Sequence, residues 1–505
     1  MSRHDWFLFA CTAIGLVVVL PPIALGFLAP FILIPYFPLI EKKSVWTLAK
    51  MGYVIGLIWG MGTIYWVGWA TVPGLFGALI VFAFSFSIFS LIQGWFYHVW
   101  GRRTLWIAPI VWYFTEWFST QGPLAFPWNA LAYSQTSYPV LIQFASYVGT
   151  FGISFWIVWL NVVLFHIIRY HNQKKIVLCL SILLVVSIGL PILYGQYRIN
   201  SKPLQEKTLS VTLVQGNIDP YKKWTATFID SNITIYEALS AQSSNSTTDL
   251  IIWPETAIPG YLKHRYSYLK RIRGLVDSLQ VPLLAGAPDY RWIKKGEAKV
   301  YNSVFLIEPN HWPMQQYSKM HLVPFSERVP LVSEFPLLYR LTKKLIMDIG
   351  DFSPGDSVTV FSMNQISRLK FATVICFDSV FPDHVRQLIA QGAQFLVIIT
   401  NDGWFGRTSG PYQHAAMAVL RAVENGVAVV RCANTGVSCI VDRYGYVRQK
   451  TEIYTRDVLR GDIDIQGDVT FYVRYGQHIN LGIVFVMGIL GLMTGLMQLI
   501  RQQRK

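Results

Sequence analysis

Phe371-Ala-Thr-Val-Ile-Cys376 runs an apolar, β-branched stretch straight into a thiol, and Leu250-Ile-Ile-Trp-Pro-Glu255 runs another into a carboxylate. A short apolar run that stops at a polar residue reads as a buried strand meeting a loop. Further runs of this kind lie at 210–215, 282–285, 303–307, 395–400 and 427–431, and they alternate with helix-period segments at 261–279 and 412–425. Alternating strands and helices across roughly 280 residues predict a single α/β domain. Such sheets present their chemistry on the loops at strand ends, where the thiol and the carboxylate lie.

On both sides of this region the chain changes character. Apolar windows occur near 7–21, 23–40, 50–70, 74–98, 104–118, 139–168, 176–195 and 479–500, giving eight candidate spans for a hydrocarbon layer of about 30 Å. The first two are separated only by Pro21 and Pro22 and are expected to form a tight hairpin. Charged residues fall in alternate loops. Arg3, Lys42 with Lys43, Arg102 with Arg103, Arg169 with Lys174 and Lys175, and Arg501 with Arg504 and Lys505 mark one side, while the loops near 21–22, 71–73 and 119–138 carry no Lys or Arg. Because cytoplasmic loops collect Lys and Arg, both termini are expected inside and the α/β segment outside. The expected organisation is a seven-span helical membrane domain at 1–196, the outer domain at 197–476, and a last span with a basic cytoplasmic tail at 477–505.

Composition agrees with that partition. Of 505 residues 53% are apolar and only 14% charged, and the mean hydropathy is +0.37, which excludes a disordered chain and an ordinary soluble globule. The net charge of +15 requires no nucleic acid, since 12 basic against 3 acidic residues lie outside 197–476 and mark membrane orientation. Five cysteines without a C-x-x-C pair argue against a disulfide framework. Ten histidines without zinc-site spacing lead us to expect no metal.

Each candidate site residue has a plainer reading beside the chemical one. Glu255 fits a helix-cap partner as well as a base. Lys319, in Tyr317-Ser-Lys-Met-His-Leu-Val-Pro-Phe, fits a snorkelling surface lysine as well as a fixed cation. At Cys376, backbone N–H groups and a helix dipole are expected to favour thiolate. Cys432 and Cys439 sit in apolar strand-like surroundings and read as packing. Glu116, a carboxylate inside the fifth candidate span, is a functional candidate by default, with an interface hydrogen bond as the plainer reading.

Taken together, Trp253-Pro-Glu-Thr, the Lys319 segment, Val374-Ile-Cys-Phe-Asp and Thr400-Asn-Asp-Gly-Trp-Phe-Gly resemble the carbon–nitrogen hydrolase, or nitrilase, superfamily. With spans before and after that domain, the whole chain resembles the bacterial apolipoprotein N-acyltransferases. Val214-Gln-Gly-Asn with Trp224, Pro324-Phe-Ser-Glu-Arg-Val-Pro, Gly410-Pro-Tyr-Gln-His and Phe126-Pro-Trp-Asn add to the likeness. The resemblance implies a nitrilase-like αββα sandwich, with Cys376 as nucleophile, Glu255 as general base and Lys319 as oxyanion cation. It gives Glu327 and Asp378 supporting roles, and it places Trp224 and Trp404 against the acyl or headgroup pocket. The implied donor is a membrane phospholipid and the implied acceptor the α-amino group of a lipoprotein's diacylglyceryl-cysteine, with neither a metal nor another cofactor. Where better-known members carry Tyr-Glu after the nucleophile, this chain has Phe377 and Asp378. Segment 329–347 has amphipathic patterning and is expected to form a lid. A membrane-tethered amidase using the same three residues, or a transporter with a cargo-binding outer domain, are the alternative readings.

Overall fold

The computed structural model describes residues 2–201, 207–242, 248–328, 352–366, 369–465 and 469–503, so the expected lid at 329–347 lies outside the described residues. The chain forms two compact units, one of Met1–Tyr65, Leu75–Lys202 and Arg474–Lys505, the other of Trp66–Gly74 and Pro203–Val473.

In the first unit, five helices among the described residues are long and apolar enough to cross a membrane: Val45–Ile64, Val72–Trp100, Ala145–Arg169, Lys174–Asn200 and Phe471–Gln503. The remaining apolar stretches form shorter pieces. Arg3–Val18 is a 16-residue helix, and Ala108–Phe118 is an 11-residue helix following a 3-10 turn. Stretch 23–40 contains a 3-10 turn, Gly26–Phe31, and a short helix, Phe37–Lys42. Pro21, Pro22, Pro30, Pro35 and Pro38 account for the breaks, since each removes a backbone donor. Backbone freed in this way needs partners in an apolar setting, and side chains supply them. Asn161 accepts from the Leu33 N–H at 2.8 Å and donates to the Ala29 carbonyl at 2.9 Å, while Gln135 donates to the Gly26 carbonyl at 2.8 Å. Glu116 Oε1 accepts from Trp112 Nε1 at 2.7 Å and from the Leu131 N–H at 2.8 Å.

The second unit is a sandwich of two six-stranded sheets. One contains β1 (Thr208–Gln215), β2 (Leu250–Ile252), β3 (Leu283–Lys294), β4 (Glu297–Ile307), β5 (Gln315–Ser318) and β12 (Asp457–Asp464), in the order β12-β1-β2-β3-β4-β5. The other contains β6 (Val360–Met363), β7 (Leu369–Ile375), β8 (Phe395–Thr400), β9 (Ala428–Ala433), β10 (Cys439–Val441) and β11 (Val447–Lys450), in the order β11-β10-β9-β8-β7-β6. In each sheet three neighbouring strands run parallel, β1-β2-β3 and β7-β8-β9. Period-two alternation then sorts the side chains. Leu209, Val211 and Leu213 face Phe371, Ile375, Phe395, Val397, Val430 and Cys432 between the sheets. Ile251, Trp253, Leu283, Ala285 and Phe305 pack instead against helices Ala226–Ala241 and Tyr266–Leu279. Helices Pro382–Ala390 and Gly410–Asn425 pack on β7 and β9 and complete four layers, αββα. Residues 66–74 join this unit through Trp66, whose Nε1 donates to Gln413 Oε1 at 3.1 Å and whose ring lies 4.3 Å from that of Phe405.

Phe371 stacks between Phe361 at 5.3 Å and Phe395 at 5.0 Å and is fully buried. Phe371→Ala is expected to cost about 3–5 kcal/mol, visible as a lowered thermal midpoint in detergent. A loss below about 1 kcal/mol would mean that the seam between the sheets repacks freely.

Candidate active site

The named polar residues sit at strand ends, and all but Lys319 follow a strand that is almost wholly buried. Lys319 immediately follows β5, Glu255 lies just past β2, Cys376 caps β7, and Asn401 and Asp402 follow β8. Lys319 is 1% exposed, which removes the surface-lysine reading. Its Nζ lies 2.9 Å from Glu327 Oε1 and 3.6 Å from Glu255 Oε1. Burial opposes the ammonium, but the carboxylates of Glu327 and Glu255 outweigh it and hold the Lys319 pKa above its ordinary value. Both carboxylates are fixed in turn. Asn302 Nδ2 donates to Glu255 Oε1 at 2.7 Å and reaches Glu327 Oε1 at 3.4 Å. The Asn401 N–H donates to Glu255 Oε2, and the Val323 N–H to Glu327 Oε2, each at 2.9 Å.

Cys376 has φ +49°, a left-handed conformation that a non-glycine residue adopts only when its surroundings enforce it. Ser379 Oγ donates to the Cys376 carbonyl at 2.7 Å, and His414 Nε2 lies 3.2 Å from the same oxygen. His414 is seated by Asp402, with Nδ1 3.0 Å from Oδ1, and Asp402 accepts from Arg431 at 2.7 Å. All three side chains are buried. Burial pushes the Cys376 thiol up, the Glu255 carboxylate pushes it further, and Lys319 opposes. The expected thiolate is therefore disfavoured. The chain after Cys376 forms only a 3-10 turn, Cys376–Val380, and the next helix starts at Pro382, so the expected α-helix does not begin at the cysteine.

Asp378 braces the two loops that carry Lys319 and Cys376. It accepts from Tyr317 Oη at 2.8 Å, from the His321 N–H at 2.7 Å and from the Ile375 N–H at 3.3 Å, with His321 Nδ1 at 3.2 Å. Burial works against its charge, but the His321 hydrogen bond and the charges of His384, His321 and Lys319 hold its pKa down to about 2. Since the Tyr317 proton goes to this carboxylate, His384 Nε2, 3.0 Å from Tyr317 Oη, carries its own hydrogen and donates. His321, Asp378 and His384 form a group with metal-like spacing, their ligand atoms within 4.8 Å of one another. These hydrogen bonds already occupy the group, which reads as a brace.

Trp224 is exposed beside Lys223, and Trp404 packs edge-on against Tyr221 at 5.1 Å, on the loops after β1 and β8. Asn302, His414 and Arg431 were not singled out from the sequence. His414 stood inside a quoted segment, Gly410-Pro-Tyr-Gln-His, whereas Asn302 lies within β4 and carries no local signal.

Burial lowers the His384 pKa from 6.5 to about 4. Between those values the unfolded chain binds a proton that the folded one refuses, so stability is full above about 6.5 and falls as the pH drops towards about 4, by about 3 kcal/mol in all. His384→Gln is expected to flatten part of that decline in thermal midpoint against pH. Equal slopes in the two proteins would mean that His384 titrates alike in both states.

The carbon–nitrogen hydrolase family model matches residues 210–467, and that of the apolipoprotein N-acyltransferase N-terminal domain matches residues 12–163. The apolipoprotein N-acyltransferase of Geobacter metallireducens is 33% identical over 94% of this chain and 92% of its own. That of Chlorobaculum tepidum is 33% identical over 86% and 85%, and that of Rickettsia prowazekii 29% identical over 89% and 90%. Agreement along nearly the full length favours neither the amidase nor the transporter alternative. With its helical unit matched by one family model and its two-sheet unit by the other, the chain belongs to the apolipoprotein N-acyltransferase family.

Proposed function

We propose that the protein transfers an acyl chain from a membrane phospholipid to the α-amino group of a lipoprotein's diacylglyceryl-cysteine, through a thioester on Cys376. What carries this reading is a strained, buried cysteine that feels both a carboxylate and an ammonium, Glu255 and Lys319, in a chain of this family. A thiol held high by burial yields little thiolate by itself, so a base must act with the attack. Glu255 takes the Sγ proton as sulfur bonds to the ester carbonyl. Lys319 and a backbone N–H of the turn neutralise the tetrahedral oxyanion, each donor contributing about 3–4 kcal/mol. Collapse breaks the carbon–oxygen bond, and the departing lysophospholipid oxygen takes the proton from Glu255.

The neutral amine then attacks the thioester, Glu255 accepts its proton, and the thiolate leaves and is reprotonated. The kinetics are ping-pong, because the two lipids never occupy the site together. Glu327 holds Lys319, Asp378 braces the loops, and Trp224 and Trp404 contact lipid at the mouth. The loop charges support an inner-membrane chain with both termini cytoplasmic, seven spans before the catalytic domain and one after it, and that domain on the outer face.

Intact-protein mass spectrometry after incubation with phospholipid is expected to show one acyl group on Cys376, discharged by a diacylated cysteinyl peptide. Cys376→Ala, Glu255→Gln and Lys319→Met should each abolish the adduct. Discharge by water at the same rate as by the peptide would favour the amidase, and an adduct on Cys376→Ala would remove the nucleophile assignment.

A further inference from the structure

Lys223 is a second buried lysine, 3% exposed, next to Trp224. Its Nζ donates to the Thr256 hydroxyl and lies 3.4 Å from the Thr256 carbonyl oxygen. It forms no ion pair among the described residues, and burial lowers its pKa to about 8. A buried ammonium without a direct ion-pair partner costs several kcal/mol, so a fold that retains one has a use for it.

Thr256 points to that use. This β-branched residue has φ +48°, a conformation such side chains rarely adopt, and it directly follows Glu255. On the other side of the same turn the backbone of β3 is in contact. A Cβ at Gly286 would lie 2.6 Å from the Pro254 carbonyl oxygen and the Thr256 nitrogen, and 2.9 Å from Glu255 Cα. The turn carrying Glu255 is thus gripped between the Gly286 backbone and the Lys223 ammonium. Charge gives a second reason. Glu255, Glu327 and Lys319 together leave one negative charge in excess, and the Lys223 field reaches Glu255.

We propose that Lys223 is a positioning residue for acyl transfer, whose ammonium holds Thr256 in the left-handed turn that aims the Glu255 carboxylate and offsets the excess negative charge of the site. This rests on Glu255 being the base. The test uses the full chain in phospholipid–detergent micelles. Lys223→Met is expected to lower kcat by about 100-fold with KM for phospholipid within about twofold. Its thermal midpoint should stay unchanged, because the cost of burying the ammonium and its attraction to the negative site are lost together. Lys223→Arg, which keeps charge and donors, should restore part of the rate.

Wild-type kcat in Lys223→Met overturns the proposal. So does a Lys223→Met protein that unfolds or loses stability in step with its rate, since that marks a structural role only. Glu255→Gln is run alongside. If it still forms the thioester, the base assignment fails. If it is silent while Lys223→Met acylates at the normal rate, only the Lys223 inference fails.

Discussion

Lys319 carries a full positive charge at 1% exposure, and taking an ammonium out of water costs several kcal/mol even after the protein relaxes. The carboxylates of Glu327 and Glu255 offset that cost only if they cannot drift away. Asn302, between them, ties each to the other, while the Val323 and Asn401 N–H groups hold their far oxygens. Glu255 and Lys319 come from one sheet, and Asn401 follows a strand of the other. The buried ammonium therefore requires the ends of both sheets to stay in register. Asn434, after β9, extends the tie, donating to Asn401 Oδ1 at 2.9 Å and accepting from the Ile218 N–H at 3.0 Å.

Cys376, the proposed nucleophile, depends on the same register but is held by different means. Its left-handed backbone would relax if its carbonyl were free, and Ser379 and His414 occupy that carbonyl. The ion pair of Arg431 with Asp402 seats His414 from beneath. Strain at Cys376 is thus maintained by a buried polar network that links Ser379, His414, Asp402 and Arg431.

How much of this was legible follows from where the signals are local. A strand buried on both faces announces itself as an apolar run, and a polar residue at its end is conspicuous, so Glu255, Cys376 and the alternation of strands and helices could be read from the chain, while the αββα layering was implied by the family resemblance. Asn302 could not, because it lies within β4 and gains its meaning only when β2 and β5 bring carboxylates and ammonium to it. Lys223 was hidden for the same reason, its partner Thr256 being distant in sequence. The direction of the Cys376 shift was misread because a strand followed by a helix-compatible segment suggested a helix dipole, whereas burial and a nearby carboxylate decide it. In the membrane unit, hydropathy located the apolar stretches, but the prolines of 23–40 determined their local shape.

The raised thiol also bears on the outer-face location proposed for this domain. An exposed cysteine held as thiolate on the outer side would meet oxidants and foreign disulfides, and thiolates, not thiols, react with both. Burial and Glu255 keep Cys376 protonated at rest. In the proposed mechanism thiolate forms only as the proton passes to Glu255 and sulfur meets an ester carbonyl. The features that make the cysteine a poor free nucleophile, its low exposure and its negatively charged neighbour, therefore confine its reactivity to the moment when substrate is bound.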